Sequence, residues 1–414
     1  MPFTFVSARR SALLSAALFA AQMLTPVHAQ TAAADSNFPS QNIKILVGFA
    51  PGGSSDTVAR IMVPKLTELL KQTIVIDNKP GAGGNIATDL LTKAPADGHT
   101  IMLGTVGSLS VNQHLNKLNY DPVTDTAALS LCVIFSNVLV VNSASDVKTF
   151  DDYLKQARQE NSKLSFGSSG IGGGGHLAGE LLKIAANLNN QHIAYRGGAP
   201  AMNDLLGGVL PSIFSSPTDA VQHIQTGKLR PLATTGAKRL EALPNVPTIA
   251  ESGFPGFEAT NWYAFAAPAK TSPEVIRRLN AALVTTLKDP GVVAQLRKLG
   301  LEPAPSTPAE ASRYIKAESD KQRASTLAFV VMPDHLHWLM QLGESTTLAQ
   351  SVRGIKSITT HLLGLPVWQR GYHDHAVRRE EDIKALARYV IANPIRAGLS
   401  YSVGSYPHWD AAWV

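Results

Sequence analysis

Three glycine-rich segments and one histidine pair are where this chain of 414 residues could do chemistry. Phe49-Ala50-Pro51-Gly52-Gly53-Ser54-Ser55-Asp56 follows a β-branched run and opens a helical one, with Ser54, Ser55 or Asp56 able to cap it. Ser168-Ser169-Gly170-Ile171-Gly172-Gly173-Gly174-Gly175-His176 repeats the arrangement, and Tyr195-Arg196-Gly197-Gly198-Ala199-Pro200-Ala201 is a third case. Bare backbone N–H groups at a helix N-terminus carry partial positive charge and suit a carboxylate or a phosphate. One such loop is explained by a tight turn alone. Three, each at the carboxyl end of a strand, favour a shared crevice for a small anion. The spacing is neither Gly-x-Gly-x-x-Gly nor a phosphate loop ending in Gly-Lys-Ser/Thr, which argues against a nucleotide. Arg196 is a candidate carboxylate clamp, set against a solvated surface arginine. His176 reads as a helix-cap histidine rather than a base. No Ser–His–Asp set or pair of acids stands out between 40 and 322, so this region reads as a binder rather than an enzyme.

The other candidate chemistry lies near the C-terminus. His335 and His337 are two apart in an apolar, β-branched run from Phe329 to Met340, read as one strand with a kink at Pro333. Such histidines point to one face and can share a metal ion. Tyr389 and Asn393 are four apart near the end of a predicted helix that begins near Glu380, so they share a helix face. A tyrosine hydroxyl beside a metal-bound phosphate is a plausible nucleophile, and Asn393 could complete the metal shell. Ordinary strand histidines and a packed core tyrosine are the alternatives.

Elements must hold these groups in place. The composition, 44% apolar and 16% charged, excludes disorder, a collagen-like chain and a polytopic membrane protein. A formal charge of +6, from 37 basic and 31 acidic residues, does not by itself imply nucleic acid. One cysteine, Cys132, excludes an intramolecular disulfide and a cysteine-based metal cluster. Arg9 and Arg10, the small or apolar run Ala12 to Ala21, and Val27-His28-Ala29 read as a secretory signal peptide over 1–29, cut after Ala29. From 40 to about 324, strands (Ile43–Val47, Thr73–Ile76, Thr100–Leu103, Val138–Val141, Leu164–Phe166) alternate with helical stretches such as Val58 to Leu70. That alternation predicts an α/β fold with a largely parallel sheet. The last 90 residues change character: 325–414 hold four of the five tryptophans and six of the twelve histidines, though they are about a fifth of the chain. A boundary falls near Thr326, without the usual linker.

The first regime resembles the Bug family, the substrate-binding receptors of tripartite tricarboxylate transport systems. The resemblance runs from about 40 to 322. It rests on Phe49 to Gly53, Asn78-Lys79-Pro80-Gly81-Ala82-Gly83-Gly84-Asn85, Asp97-Gly98-His99-Thr100, Tyr120-Asp121-Pro122-Val123, Phe166-Gly167-Ser168, His176-Leu177-Ala178-Gly179-Glu180, the Tyr195–Ala201 segment, Asp204-Leu205-Leu206-Gly207-Gly208 and Leu243-Pro244-Asn245-Val246-Pro247-Thr248. It implies a two-lobed periplasmic-binding-protein fold within a receptor domain of 30–325. Lobe 1 is expected from about 40–140 plus 262–322, and lobe 2 from about 141–261. A carboxylate is expected in the cleft, held mostly by backbone N–H groups and ordered waters. Mapped here, the binders are Phe49, Ala50, Pro51, Gly52, Gly53, Ser54 and Asp56, then Ser168, Ser169 and Gly170, then Gly197, Gly198, Ala199 and Pro200. The implied partners are a small carboxylate and membrane transporter subunits, with no cofactor. Leu210-Pro211-Ser212 departs from the family, which usually has an acidic residue here, and this puts the strand at that point in question.

The second regime resembles the REP-associated tyrosine transposases, of the single-tyrosine HUH class. The matching residues are Val331 to Trp338, Val367-Trp368-Gln369, Gly371 to His375, Arg378, Glu380 to Asp382, Tyr389, Asn393 to Leu399 and Tyr406-Pro407-His408-Trp409-Asp410. The resemblance implies an α+β ferredoxin-like domain in which His335, His337 and Asn393 hold Mg or Mn. Tyr389 would attack a phosphate of single-stranded DNA. Arg353, Lys356 and Arg370 would neutralise phosphates, and Trp368 or Tyr372 would stack a base. Over 326–414 the family's first half is missing, so the expectation is a truncated fragment joined in frame to a nearly intact receptor. The two halves want different compartments: periplasm for the receptor, cytoplasm for a transposase.

Overall fold

The computed structural model describes residues 37–320 and, beyond them, the backbone of three strands, Ala324–Val331, Leu336–Leu342 and Trp409–Ala411. The expected signal peptide lies outside the described residues, as do His335, Tyr389 and Asn393.

The chain opens with β1 (Ile43–Val47), α1 (Ser54–Leu70), β2 (Ile74–Asn78), α2 (Asn85–Thr92) and β3 (Thr100–Thr105), then runs through the long β4 (Thr126–Ser136). It passes at once into β5 (Val138–Asn142), α3 (Phe150–Ala157), β6 (Phe166–Ser168), α4 (Gly174–Ala186) and β7 (His192–Ala194). Next come α5 (Gly198–Leu206), β8 (Ser212–Ser215), α6 (Pro217–Gln225) and β9 (Leu229–Thr234). The return brings β10 (Thr260–Pro268), α7 (Pro273–Lys288), α8 (Pro290–Lys298), β11 (Glu302–Pro303) and α9 (Pro308–Asp320).

Two sheets result, ordered β11-β4-β10-β3-β1-β2 and β7-β6-β8-β5-β9. Apolar side chains cover both faces of each. In the first lobe, Val58, Met62, Leu279 and Leu283 of α1 and α7 pack on one face, and Leu91, Ala311 and Ile315 on the other. In the second, Tyr153, Leu154, Ala178 and Leu182 of α3 and α4 oppose Met202, Leu205 and Val221 of α5 and α6. Burial on both faces is what the nearly unbroken apolar strands require.

The sheets are mixed rather than largely parallel, and the reason is topological. β1 is parallel to β2 and β3, and β6 to β7 and β8. In each sheet the strand by which the chain enters runs against its neighbours: β5 against β8 and β9, β10 against β3 and β4. The parallel strands end at the cleft between the lobes. A strand arriving from the other lobe must start there and run away from it.

The strand put in question at Leu210-Pro211-Ser212 is present. β8 begins at Ser212, just past the residue with no N–H to give, and pairs with β5 and β6. The strand placed at Leu164–Phe166 sits two residues later, because Gly167 and Ser168 pair with Ile193 and Ala194. Near the C-terminus, the single kinked strand expected from Phe329 to Met340 is instead two antiparallel strands. β12 (Ala324–Val331) pairs with β13 (Leu336–Leu342), Val330 opposite His337, and with β14 (Trp409–Ala411) on its other side. Pro333, where the kink was expected, lies outside the described residues. β12 spans the boundary placed near Thr326.

Candidate functional site

The cleft lies where the two sheets present their strand ends, and the local sequence decides what it exposes. α1, α4, α5 and α6 all start there, after β1, β6, β7 and β8. Their N-cap residues are Gly53, Gly173, Gly197 and Ser216, and none makes a side-chain cap. Helices that follow the antiparallel strands start at the far ends of the lobes, and there α3 is capped by Thr149 and α7 by Ser272. The next helix, α8, is capped by Asp289. At the starts of α1, α4 and α5 the first amide groups are left without a side-chain cap, whereas α6 begins at Pro217, which has no N–H, and its Asp219 N–H bonds the Ser216 carbonyl at 3.1 Å. Gly84, at the start of α2, is also uncapped but does not line the cavity.

A cavity of about 30 Å³ sits among these helix starts. It is lined by Phe49, Gly53, Ser54 and Ser55 from α1 and its loop, Ser169, Gly173 and Gly174 before and in α4, and Gly198 of α5. β8 and α6 add Ser215, Ser216 and Asp219, and the crossing strands add Asn137, Asn261 and Tyr263. Thr105 closes the end of β3, and its buried hydroxyl has no partner among the described residues. Among the described residues no lysine or arginine lines the cavity.

Of the residues expected from sequence, Phe49, Gly53, Ser54, Ser169 and Gly198 reach the cavity lining. The others do not line it. Asp56 does not face the cleft: its carboxylate accepts the Gly52 amide at 2.9 Å, Arg60 Nε at 2.8 Å and Asn78 at 3.1 Å. Burial pushes the Asp56 acid up, but the hydrogen bonds from Arg60, the Gly52 amide and Asn78 outweigh it and hold the group below its ordinary value. It therefore positions the loop, in which Gly52 takes a left-handed φ of +81° between the exposed Pro51 and Gly53. Ala50 donates its N–H to the Arg196 carbonyl at 3.2 Å, a bond from one lobe to the other. The Arg196 side chain, expected as a carboxylate clamp, is exposed and outside the lining. Gly197, at φ +141°, turns the chain into α5, whose first turn holds Ala199 and Pro200.

The Ser168 hydroxyl bonds the Gly170 amide at 3.1 Å and His192 Nε2 at 2.7 Å, bracing the second loop from below. His176 acts as the helix-cap histidine: its Nδ1 accepts the Gly172 amide at 3.1 Å. The two imidazoles lie 4.2 Å apart, centroid to centroid. Burial lowers both, with His176 adding to the effect on His192, which falls to about 4. Both are neutral at pH 7.

Sequence reasoning placed the strand at Val138–Val141 but missed α6, β10 and the lining residues Asn137, Asn261 and Tyr263. Ser216-Pro217 with Asp219 in the first turn is a helix-start signal that was open to reading. Asn137 and Asn261 carry no such signal, because their role depends on where two distant strands meet. Asn137 and Thr235 exchange hydrogen bonds of 2.9 Å at that crossing, and Asn261 donates to the Asn137 side chain at 3.3 Å.

Residues 58–327 match the family described as tripartite tricarboxylate transporter family receptor. Over 285 residues the chain is 38% identical to the UPF0065 protein in the tcbD-tcbE intergenic region of Pseudomonas sp. (strain P51), spanning 69% of this chain and 85% of that one. Among solved structures, R. palustris Rpa4515 with adipate is 34% identical at a TM-score of 0.66, covering 69% of this chain and 95% of that one. MatC (Rpa3494) from Rhodopseudomonas palustris with bound malate is 27% identical, also at 0.66, covering 69% and 98%. A shorter stretch of 91 residues, 20% of this chain, is 33% identical to 55% of a REP-associated tyrosine transposase of Escherichia coli (strain K12).

Proposed function

We propose, because the chain belongs to the tripartite tricarboxylate transporter family of receptors, that it captures a small carboxylate in the periplasm and delivers it to membrane transporter subunits. The observation that carries this reading is the meeting of three uncapped, glycine-led helix N-termini, those of α1, α4 and α5, around one cavity that no cationic side chain among the described residues lines. Each helix start favours an anion by roughly 0.3–2 kcal/mol. Several converging sets, with closure excluding water, are enough for micromolar binding, about −8 kcal/mol. Two structural relatives carry adipate and malate, which fits the same ligand class. No helix among the described residues is long and apolar enough to cross a membrane. Export by residues 1–29 with cleavage after Ala29 supplies the compartment, and N-terminal sequencing of periplasmic protein tests it. The receptor function itself draws on no cofactor. Thermal melting of the full chain with a panel of di- and tricarboxylates tests the binding: a rise in Tm of several degrees is expected for the ligand, and no shift with any of them would overturn the reading.

A second reading concerns 326–414 and rests on the short match to a transposase. On it, Tyr389 would transfer a single-stranded DNA phosphate with Mg or Mn held by His335, His337 and Asn393. Among the described residues no group of three or more His, Cys, Asp or Glu could hold a metal ion. His335, Tyr389 and Asn393 lie outside those residues, and His337 is placed only by the backbone of β13. Incubation with hairpin single-stranded DNA and Mn should leave a covalent adduct that Tyr389→Phe abolishes; no adduct removes this reading and leaves a receptor with an inert tail.

A further inference from the structure

We propose, resting on the receptor function above, that Asp219 selects carboxylates that carry a hydrogen-bond donor, an ammonium or a hydroxyl group, beside the carboxylate. An acid is out of place in a cleft built to attract anions. Asp219 nevertheless lines the cavity, in the first turn of α6. Its amide N–H donates to the Ser216 carbonyl at 3.1 Å, and no side chain or amide of the described residues hydrogen-bonds its half-buried carboxylate. That sets it apart from Asp56, whose oxygens are all engaged.

The side chain packs against backbone. It lies against the first residue of α5, where a Cβ built on Gly198 would overlap Asp219 Oδ2. Around it, β10 presents Tyr263 and α1 presents Ser54, while α5 offers backbone only. Tyr263 and Asp219 are the titratable residues of the lining. Burial pushes Tyr263 up, so it stays a neutral phenol. Among the described residues no cation lines the cavity to neutralise an ionised Asp219.

A second anion placed beside an ionised, unpartnered carboxylate is repelled. A donor on the ligand turns that repulsion into a charge-assisted hydrogen bond. The amide groups of α1, α4 and α5 then hold the ligand carboxylate, and Asp219 reads the substituent next to it. Burial raises Asp219 to about 7, so it ionises across neutral pH. Donor-bearing ligands gain affinity as pH rises through that value, and plain carboxylates lose it.

Calorimetry on the full chain tests this with matched sets: acetate, glycolate and glycine; propionate, lactate and alanine; succinate, malate and aspartate. In the set that binds, the hydroxy or amino member should bind at least tenfold more tightly than its parent. The ratio should be larger at pH 8 than at pH 6. In Asp219→Ala it should fall to within about threefold. Asp219→Asn, which keeps the shape and an acceptor oxygen, should lose preference for the amino member and keep part of that for the hydroxy member. A parent bound as tightly as its substituted partners, or a ratio unchanged in Asp219→Ala, overturns the role of Asp219 and leaves the receptor function standing. If none of the nine binds, and di- and tricarboxylates give no thermal shift, the receptor function falls and this role with it.

Discussion

Ser216 and Ser54 meet across the cleft, the hydroxyl of Ser216 donating to that of Ser54 over 2.8 Å. Ser54 passes the chain on to Thr218 Oγ1 at 3.1 Å. Helices from opposite lobes are thereby joined at their first turns by groups that water could replace when the lobes part. Ser54→Ala breaks the link without emptying the core. A neutral hydrogen bond is worth about 1 kcal/mol, so ligand affinity should fall about fivefold with little change in Tm. Small-angle scattering should show a larger radius of gyration for the ligand-free variant. Unchanged affinity and size would mean that the hydroxyl chain has no part in closure.

Asp56 makes a sterner test of the first loop. Its carboxylate ties Gly52, Arg60 and Asn78 together, and Asn78 also holds the Phe49 carbonyl at 3.1 Å. Removing it leaves several donors without a partner, at a cost of about 2–3 kcal/mol. Asp56→Ala should lower Tm and weaken ligand binding by tenfold or more. Since the folded group sits below its ordinary value of 3.8, the stability it gives is present above that pH and is lost on further acidification. Wild type and variant should therefore differ most near neutrality and converge at low pH; curves that stay parallel in acid would count against the assignment.

The histidine pair predicts a second acid effect, in a different window. His192 falls from 6.5 to about 4 on folding, through burial first and the neighbouring His176 second. A base lowered in this way gives stability that is complete above the unfolded value and is lost as pH drops toward 4. After discounting for its partial exposure, the slope amounts to about 1–2 kcal/mol between pH 6.5 and 4. His192→Gln should flatten it, because the amide can still reach Ser168 but does not titrate. Melting curves at half-unit steps of pH provide the check, and an unaltered slope would place the effect elsewhere.

Much of this site could be read from local sequence, and the remainder could not for a physical reason. The loops at Phe49–Asp56, Ser168–His176 and Tyr195–Ala201 announce themselves because a strand, a glycine turn and a helix start are contiguous in the chain. The structure sets all three at the cleft. Which residue of a loop faces the ligand was not legible. Asp56 and Arg196 are charged residues of those loops, yet one is held behind its loop by Arg60 and the other lies exposed at the surface. Asn137, Asn261 and Tyr263 were hidden because they belong to strands whose meeting depends on the whole topology. The mixed direction of the sheets was hidden in the same way. Strand composition reports burial, whereas direction follows from the lobe the chain has just left.

The acid in the cleft carries a stability signature that is independent of any ligand. Asp219 ionises near 7 in the folded chain and at its ordinary 3.8 when exposed, the difference coming from burial. For an acid raised by folding, the sign is the reverse of that for Asp56. Its contribution is complete below 3.8 and is lost as pH rises through about 7. Cavity access reduces the full linkage value, leaving an effect on the order of 2 kcal/mol by pH 8. Asp219→Asn removes the titration while keeping the volume, so the ligand-free variant should melt about 2–6 °C above wild type at pH 8 and level with it near pH 4. A saturating ligand with an ammonium or hydroxyl donor should narrow the gap at pH 8, because it partners the ionised carboxylate in wild type. If the two melting curves run parallel from pH 4 to 8, Asp219 is solvated in the open receptor and its ionisation is not suppressed by the fold.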